Sequence, residues 1–373
     1  KNKTKKSQIL WNMAKKKIAG GNMLLSKNPD RHLPNFWPVY FKSAKGNLIK
    51  DYDNNIFQDF YLMGVGTNIL GYSNNVVDRA VKKSINSGNI SSLNSYEELK
   101  LAEYLLDFHK EFEMVKFTKT GGEANALAVR LARAYSGKDK IAFCGYHGWH
   151  DWYLAANINN LNSKKNLDNH LMKGLETKGV PRNLKNTSFP FNYSDKESFN
   201  NIIKNHDIGT VKMEVCRSSM PDIEFLRHVR RETKKRNIIL IFDECTTGFR
   251  HEFGGIYKST GIKPDIVLYG KAIGNGYPIT CIMGKKDIMK CSDRSFISST
   301  FWSDRVGYVA AQKTLEEMYK NKSWRKIKQN GIFIQNQWKK LFDYFDISCS
   351  VKGIPGLPIF KFSHNHNLFK TYI

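Results

Sequence analysis

The sequence predicts an α/β protein whose main domain is a doubly wound, mainly parallel sheet. Two observations support this prediction. Short apolar runs with strand character recur through the middle of the chain, and most are separated by segments of helical periodicity. The predicted strands cover residues 114–118, 141–144, 209–215, 238–242, 265–269 and 279–283, and the clearest helices between them cover residues 123–135 and 223–235. Ligands of such a sheet bind beyond the carboxyl ends of its strands.

The two ends of the chain predict a second, smaller α+β domain. A helix over residues 7–19 and an irregular stretch precede the strands. A long helix over residues 306–319, another helix and a strand-like piece over residues 356–362 follow them. We therefore divide the chain into an N-terminal segment that joins the small domain and the rim of the site, a large ligand-binding domain, and a C-terminal part of the small domain. These three parts are residues 1–55, 56–305 and 306–373.

Length and composition indicate a globular protein that contains a sizeable core. The 373 residues are 41% hydrophobic and 13% aromatic, which suffices for one large or two ordinary domains. No apolar run approaches the length of a membrane span, and the first residues lack the apolar block of a secretory signal. We therefore expect a cytoplasmic protein with no membrane partner. The six cysteines form no CxxC pair, so we expect reduced thiols and neither disulfides nor a cysteine zinc site.

A formal net charge of +25 raises the question of a nucleic-acid partner. The lysines are spread along the whole chain in short groups, mostly on the polar sides of predicted helices. This distribution favours a solvated surface over a nucleic-acid interface. Such a surface also attracts anionic substrates or cofactors.

Two charged residues stand at the ends of consecutive predicted strands. IILIFDECTTGFR, residues 238–250, is an apolar strand that ends at Asp243, and DIVLYGKAIGNGYPIT, residues 265–280, places Lys271 after the next strand. A carboxylate in this position is costly to bury without a cationic partner, although a helix cap or loop acid would look similar. A desolvated lysine is a nucleophile for Schiff-base formation and a proton carrier. The glycines around Lys271 would let another molecule approach closely.

Two further strand ends offer groups for a ligand. Thr120-Gly121-Gly122 lies between a strand and a well-formed helix, where backbone N–H groups suit a phosphate, although a capping turn has the same sequence pattern. CGYHGWHDW, residues 144–152, follows the next strand and offers Tyr146, His147, Trp149 and His150, and an aromatic side chain at this point could stack on a planar ring. His147 and His150 have the HxxH spacing of some metal sites, but no further ligand stands at the right distance along the chain, so we expect no metal.

Together these four strand ends fit one ligand. They offer an aromatic stack, a carboxylate for a basic ring nitrogen, a phosphate site and an amine for an aldehyde. Pyridoxal 5′-phosphate has all four complementary groups. We therefore predict it as the cofactor, with its pyridoxamine form arising during the reaction cycle.

The motifs TGGEAN, YHG, FDECTTGFR, FGGIYKSTGIKPDIVLYGKAIGNGYP and STFWSDRVG, in this order, resemble the class III aminotransferases. The resemblance covers about residues 7–360 and is greatest to the glutamate-1-semialdehyde 2,1-aminomutases and their close relatives. It implies the type I fold of pyridoxal-phosphate enzymes and an amino-group transfer between small molecules. An aminomutase returns the amino group to a neighbouring carbon of the same molecule, whereas an aminotransferase uses a second keto or aldehyde substrate.

The resemblance also implies roles for individual residues. Lys271 would bind the cofactor aldehyde as a Schiff base, and Asp243 would pair with the ring nitrogen. Tyr146 would stack on the ring with His147 beside it. The phosphate would be bound by Thr120, Gly121 and Gly122, and Thr300 would reach the phosphate of a neighbouring subunit in a homodimer.

The sequence departs from the aminomutase pattern on the substrate side. Residues 20–31 read GGNMLLSKNPDR where aminomutases carry a GGVNSPVR-like segment, so the usual arginine is missing. Ser26, Lys27 and Arg31 are candidate substitutes, and Arg217 is a candidate carboxylate anchor. The phosphate loop reads TGGEA where SGTEA is usual, so a hydroxyl is replaced by Gly122. A class III aminotransferase for another keto or aldehyde substrate, for example in surface-polysaccharide biosynthesis, therefore stays open. We expect the C-terminal domain to be incomplete.

Overall fold

The structure is a computed structural model that describes residues 4–61, 63–160, 175–366 and 369. Its centre is a seven-stranded sheet of strand order β4-β10-β9-β8-β7-β5-β6. These strands are β4 (Met114–Thr118), β5 (Lys140–Cys144), β6 (Ser188–Pro190), β7 (Ile208–Glu214), β8 (Ile239–Asp243), β9 (Ile266–Tyr269) and β10 (Thr280–Gly284). Strand β10 is antiparallel to both of its neighbours, and the other adjacent pairs are parallel. The predicted mainly parallel sheet is therefore confirmed.

Strand β8 shows why this sheet is covered on both faces. Leu240 and Phe242 belong to one buried apolar cluster, whereas Ile239 and Ile241 belong to another. Successive side chains of a strand point to opposite faces, so a continuous apolar run requires packing on both sides. The helices are α1 (Lys5–Lys17), α2 (Met63–Gly66), α3 (Asn75–Asn86), α4 (Tyr96–Phe108), α5 (Gly121–Ser136), α6 (Asp151–Leu154), α7 (Lys196–Asn205), α8 (Ile223–Lys235), α9 (Lys286–Met289), α10 (Arg305–Asn321) and α11 (Ser323–Tyr344).

Helices α5 and α10 position the site. Helix α5 lies across strands β4 and β7 to β10, and it buries an alanine- and leucine-rich face against them. Helix α10 packs on α3, α4 and the 3-10 turn Lys271–Gly274. The turn that carries Lys271 is thus held between the sheet and a long helix.

Two small sheets lie outside the central one. The first contains β1 (Phe41–Lys45), β2 (Leu48–Asp51) and β3 (Ile56–Gln58), and the second pairs β11 (Cys349–Lys352) with β12 (Ile359–Phe362). They come from the two ends of the chain, which is where the sequence places the small domain. The boundaries at residues 55 and 305 stay a prediction.

The predicted strands of the central sheet agree with the structure to within one residue at each end. The strand predicted over residues 356–362 is shorter in the structure, where pairing with β11 begins at Ile359. The first helix begins at Lys5, two residues earlier than expected. Across the described ranges, no helix is both long and apolar enough to cross a bilayer. The six cysteines are free thiols, four of them buried.

Candidate active site

The predicted site residues follow strand ends that meet at one edge of the sheet. Strands β4, β5, β7, β8 and β9 run in the same direction, because β4 and β9 are both antiparallel to β10. Their carboxyl ends therefore share this edge, where ligands of doubly wound sheets bind. Thr118 at the end of β4 contacts Thr280 at the start of β10, hydroxyl to hydroxyl, which closes the edge on one side.

Asp243 is a buried carboxylate at this edge that three protein groups bind. Its Oδ2 lies 2.8 Å from Nδ1 of His147 and 3.5 Å from Nζ of Lys212, and its Oδ1 accepts the Cys245 N–H at 3.0 Å. Burial alone would raise its pKa, but the Lys212 charge and the His147 hydrogen bond outweigh burial and hold the pKa far below its usual range. The site therefore contains a buried anion, as a protonated ring nitrogen requires.

His147 supports Asp243 from the end of β5. Because a carboxylate only accepts hydrogen bonds, Nδ1 is the nitrogen that donates to Asp243. The other ring nitrogen lies 3.0 Å from the Cys144 carbonyl oxygen. Burial, together with the Lys212 charge, lowers the pKa of His147. Both nitrogens thus face protein groups, an arrangement that suits a positioning role better than metal ligation.

Lys271 begins a 3-10 turn at the end of β9. Its φ of 44° is left-handed, a conformation that costs free energy for a residue with a side chain and often marks functional sites. Its Nζ donates to the Thr246 hydroxyl at 3.0 Å. The preceding Gly270 is closely packed, because a Cβ there would lie 3.0 Å from Cγ2 of Thr280 and 3.3 Å from Sγ of Cys245. The backbone before the lysine is thus closely enclosed by the carboxyl edge.

The N-terminus of α5 forms the predicted phosphate site. The Thr120 hydroxyl and the Glu123 side chain form a capping box, so this hydroxyl also has a role in the cap. A Cβ on Gly122 would lie 2.8 Å from Cε1 and 3.0 Å from Nδ1 of His150. His150 Nδ1 is buried and has no hydrogen-bond partner among the described residues. The imidazole therefore occupies the space that a side chain at position 122 would need.

Tyr146 lies beside two charged residues, Glu214 and Arg217. Its backbone N–H donates a hydrogen bond to Oε2 of Glu214 at 3.1 Å, and the same oxygen accepts a hydrogen bond from Nη1 of Arg217 at 3.1 Å. The Arg217 guanidinium lies 5.7 Å from the centre of the Tyr146 ring. Its side chain is 48% exposed. Arg217 is thus a cation at the solvent side of the predicted stacking residue.

The remaining predicted residues lie at the surface of the described chain. Thr300 is exposed and begins the 3-10 turn Thr300–Ser303. That turn is attached to α5 through Trp302, whose Nε1 donates to Oε1 of Glu123 at 3.1 Å. Lys27 and Arg31 are exposed, and Ser26 is half-buried beside them. The structure therefore brings the cofactor candidates other than Thr300 to one edge of the sheet and leaves the substrate candidates of residues 20–31 in loops.

Lys212, Thr246 and His150 are site residues that the sequence analysis did not assign. Thr246 carries no distinctive sequence signal, and the HxxH spacing of His150 indicates a metal site instead of a phosphate contact. The roles proposed for both depend on contacts across the fold. Lys212 does carry a distinctive signal. It stands in the apolar run IGTVKMEV of β7, all seven strand residues of which are buried. A lysine at such a position requires a buried anion, which here is Asp243.

These residues fit pyridoxal 5′-phosphate. The orphaned Nδ1 of His150 and the bare Gly122 at the start of α5 suit an anion. The ionised Asp243 suits a protonated ring nitrogen, and the Lys271 amine suits an aldehyde. The fold and the site together define a pyridoxal-phosphate enzyme of fold type I.

Comparison with known proteins shows the family. The family described as aminotransferase class-III matches residues 30–359. The chain belongs to the class III aminotransferases, its cofactor is pyridoxal 5′-phosphate, and it is an enzyme, as the sequence predicted.

Two curated relatives have different activities. The 3-aminobutyryl-CoA aminotransferase of Cloacimonas acidaminovorans is 32% identical over 96% of this chain and 84% of its own. The glutamate-1-semialdehyde 2,1-aminomutase of Sulfolobus acidocaldarius is 33% identical over 83% of this chain and 73% of its own. Among solved structures, the PLP internal aldimine form of the Sphingopyxis sp. MTA144 FumI protein aligns with a TM-score of 0.85 and 24% identity, covering 97% of this chain and 84% of that one. That structural likeness supports the fold.

Proposed function

We propose that this protein is an aminotransferase that moves an amino group from an anionic donor to a separate keto or aldehyde acceptor. The observation that carries this proposal is the contrast between a complete cofactor set and a substrate side that lacks the aminomutase segment. Asp243 and Lys271 are in place, whereas residues 20–31 carry no arginine at the aminomutase position. Similarity to a 3-aminobutyryl-CoA aminotransferase over nearly the whole chain supports the same choice.

The residues of the site would divide the work as follows. Bound pyridoxal phosphate supplies an aldehyde that captures an amino group and a ring that accepts electrons from the substrate carbon. Lys271 would bind that aldehyde at rest and, once displaced by the donor, would carry a proton with its free Nζ. Asp243 would keep the ring nitrogen protonated, and His147 would hold Asp243 in position. Tyr146 would stack on the ring.

The phosphate would be bound at the start of α5. Backbone N–H groups of Gly121 and Gly122 would donate to it. The Thr120 hydroxyl would donate to it only after giving up its present hydrogen bond to Oε2 of Glu123. His150 would add its Nδ1 in place of the hydroxyl that relatives carry at position 122. An imidazole that fills this space compensates for the loss of a hydroxyl donor.

We further propose that Arg217 binds the anionic group of the donor. Among the described residues, Glu214 binds one of its guanidinium nitrogens, Nη1, so the remaining N–H groups can reach a carboxylate. The position beside Tyr146 would place that carboxylate next to the cofactor ring.

A homodimer would complete the site. Phe296 and Phe301 lie on either side of Thr300 in the sequence and are 88% and 67% exposed, so both are available to a partner surface. We propose that a second copy covers them and that Thr300 reaches the partner's phosphate site. Sedimentation should show a dimer, and Phe301→Asp should weaken both dimerisation and cofactor retention. A monomer with full cofactor affinity would contradict this arrangement.

The free cysteines favour a reducing compartment, and we propose the cytoplasm.

The test is a donor and acceptor screen with the purified holoenzyme. We expect a donor alone to convert the cofactor to its pyridoxamine form. A separate keto or aldehyde acceptor should then take the amino group and restore the aldehyde form. The second candidate is the glutamate-1-semialdehyde aminomutase, which is favoured by the similarity to several such enzymes. Rapid production of 5-aminolevulinate from glutamate 1-semialdehyde, without any added acceptor, would establish that candidate instead.

A further inference from the structure

Lys212 is a fully buried lysine whose partner is the carboxylate that serves the cofactor ring. Its side chain is 0% exposed, and that of Asp243 is 3% exposed. In the register of the sheet, Lys212 lies between Phe143 on β5 and Ile241 on β8, and both are buried. An ammonium in this apolar setting is costly unless an anion compensates it. Its distance of 3.5 Å from Asp243 Oδ2 identifies that anion.

A purely structural role explains this pair poorly. A buried ion pair often contributes no more to stability than apolar side chains of similar volume would, so packing alone does not require a lysine here. The pair lies directly at the functional edge of the sheet. Its consequence therefore falls on Asp243 and on whatever Asp243 binds.

The hydrogen bonds of Asp243 show what Lys212 adds. His147 and the Cys245 N–H hold the carboxyl group in place by hydrogen bonds, and burial lowers the pKa of His147, which disfavours a charge on its ring. Among the described residues, Lys212 is the cation that forms an ion pair with Asp243 whatever the charge of His147. Burial lowers the pKa of Lys212, and the Asp243 charge opposes that shift.

We propose that Lys212 is a positioning residue that keeps Asp243 ionised when the cofactor is absent, so that the ring nitrogen always meets a preformed anion. Without Lys212, the carboxyl group would take up a proton in its buried setting and would lose much of its attraction for a protonated ring. Lys212 would thus extend cofactor binding to lower pH. The proposal depends on the cofactor-binding role of Asp243 argued above.

Other ionisable groups face this pair and affect its titration. His147 comes from the end of β5, Glu214 from β7, and Glu244 and Cys245 from the end of β8. Lys271, at the end of β9, acts on Cys245. Glu214 is a second buried acid beside Lys212. All of these groups are shared by the wild type and a Lys212 variant, so a ratio of affinities between the two isolates the contribution of Lys212.

The test is the dissociation constant of pyridoxal phosphate for the apo-protein, measured by titration from pH 5 to pH 9 in the wild type and in Lys212→Met. Methionine has a similar length and no charge. The ratio of the variant constant to the wild-type constant should be flat at high pH and should rise as pH falls, by up to about tenfold per pH unit while Asp243 takes up one proton. Thr210→Val is the matched control. It lies on the same face of β7, and its buried hydroxyl has no partner in the described chain.

Three outcomes of this titration would contradict the proposal or the site on which it rests. A ratio that is constant from pH 5 to pH 9 overturns the role of Lys212, even if the variant binds more weakly. A rising ratio that persists in an Asp243→Asn background also overturns it, because no carboxyl group remains there to protonate. A wild type that does not bind pyridoxal phosphate through Asp243, shown by unchanged affinity in Asp243→Asn, contradicts the assigned site itself.

A second measurement covers the case in which Lys212→Met does not fold. The infrared difference spectrum between the wild-type apo-protein and Asp243→Asn should contain no protonated-carboxyl band at pH 5. The appearance of that band would show that Asp243 is neutral despite Lys212, and it would overturn the proposal without any Lys212 variant.

Discussion

The cofactor side and the substrate rim of the site are built in different ways. Asp243 and Lys212 end or lie within buried strands, and each has a charged partner. Lys27 and Arg31 lie instead in exposed single 3-10 turns before β1. Side chains anchored on a sheet lose little further freedom when a ligand binds, whereas exposed loop cations are hydrated and mobile. We therefore expect the sheet to fix the cofactor chemistry and the loops to set the substrate choice.

If the cofactor side carries the chemistry, the largest loss of activity should come from Asp243→Asn. The amide cannot keep the ring nitrogen protonated, so we expect kcat to fall by at least about 10²-fold, the usual size of a proton-holding contribution. Steady-state kinetics and circular dichroism of the variant would check this. Glu244→Gln is the control, because Glu244 is the adjacent acid and is bound by Tyr257 and Thr247. Its kcat should stay within twofold of the wild type. An Asp243→Asn enzyme with near-normal kcat would remove the basis of the assigned site.

The phosphate end should respond next. His150→Ala should weaken pyridoxal phosphate binding by roughly tenfold to a hundredfold, the value of a hydrogen bond to a charged group. Gly122→Ser should weaken it as well, because its Cβ would meet His150.

The double variant Gly122→Ser/His150→Ala sharpens this prediction. It creates space for the serine and returns a hydroxyl, so it should bind the cofactor more tightly than either single variant. Additive losses in a fluorescence titration would show that His150 does not replace a hydroxyl.

Asp243 and the adjacent Glu244 also differ in the direction of their pKa shifts. Burial raises the pKa of Glu244 from an ordinary 4.5 to about 7. A raised pKa means that the folded state binds the proton more tightly, so this contribution to stability is present below pH 4.5 and is lost as pH rises through about 7. The difference in unfolding free energy between the wild type and Glu244→Gln should therefore change within this window. Denaturant unfolding at several pH values measures it, and a difference independent of pH would contradict the assignment.

The smallest effects should come from the rim. Arg217→Gln should raise KM for an anionic donor by roughly fivefold, which corresponds to about 1 kcal/mol for a partly exposed ion pair. It should leave kcat unchanged, and also the KM for a neutral amine donor. Lys27→Gln and Arg31→Gln are matched losses of charge and should change KM by less than twofold. Equal effects of all three variants would indicate general attraction by the basic surface.

The sequence located most of the residues that lie at the carboxyl edge of the sheet because their signals are local. Asp243 and Lys271 each end an apolar run, and the strands of the central sheet follow from those runs. Strands β1, β2 and β11 contain lysine, serine and aspartate, so they show no apolar signal. The contacts of Lys212 and His150 join segments distant in sequence, and local pattern cannot supply them. The capping-box role of Thr120 was an open alternative that the structure shows.

The central claim is that Lys271 is the residue that binds the cofactor aldehyde. Borohydride reduction of the holoenzyme, followed by peptide mass spectrometry, tests it directly. We predict a single pyridoxyl-phosphate adduct on the peptide that contains Lys271, and no adduct in a folded Lys271→Arg variant. An adduct on another lysine, or none in the wild type, would contradict the account.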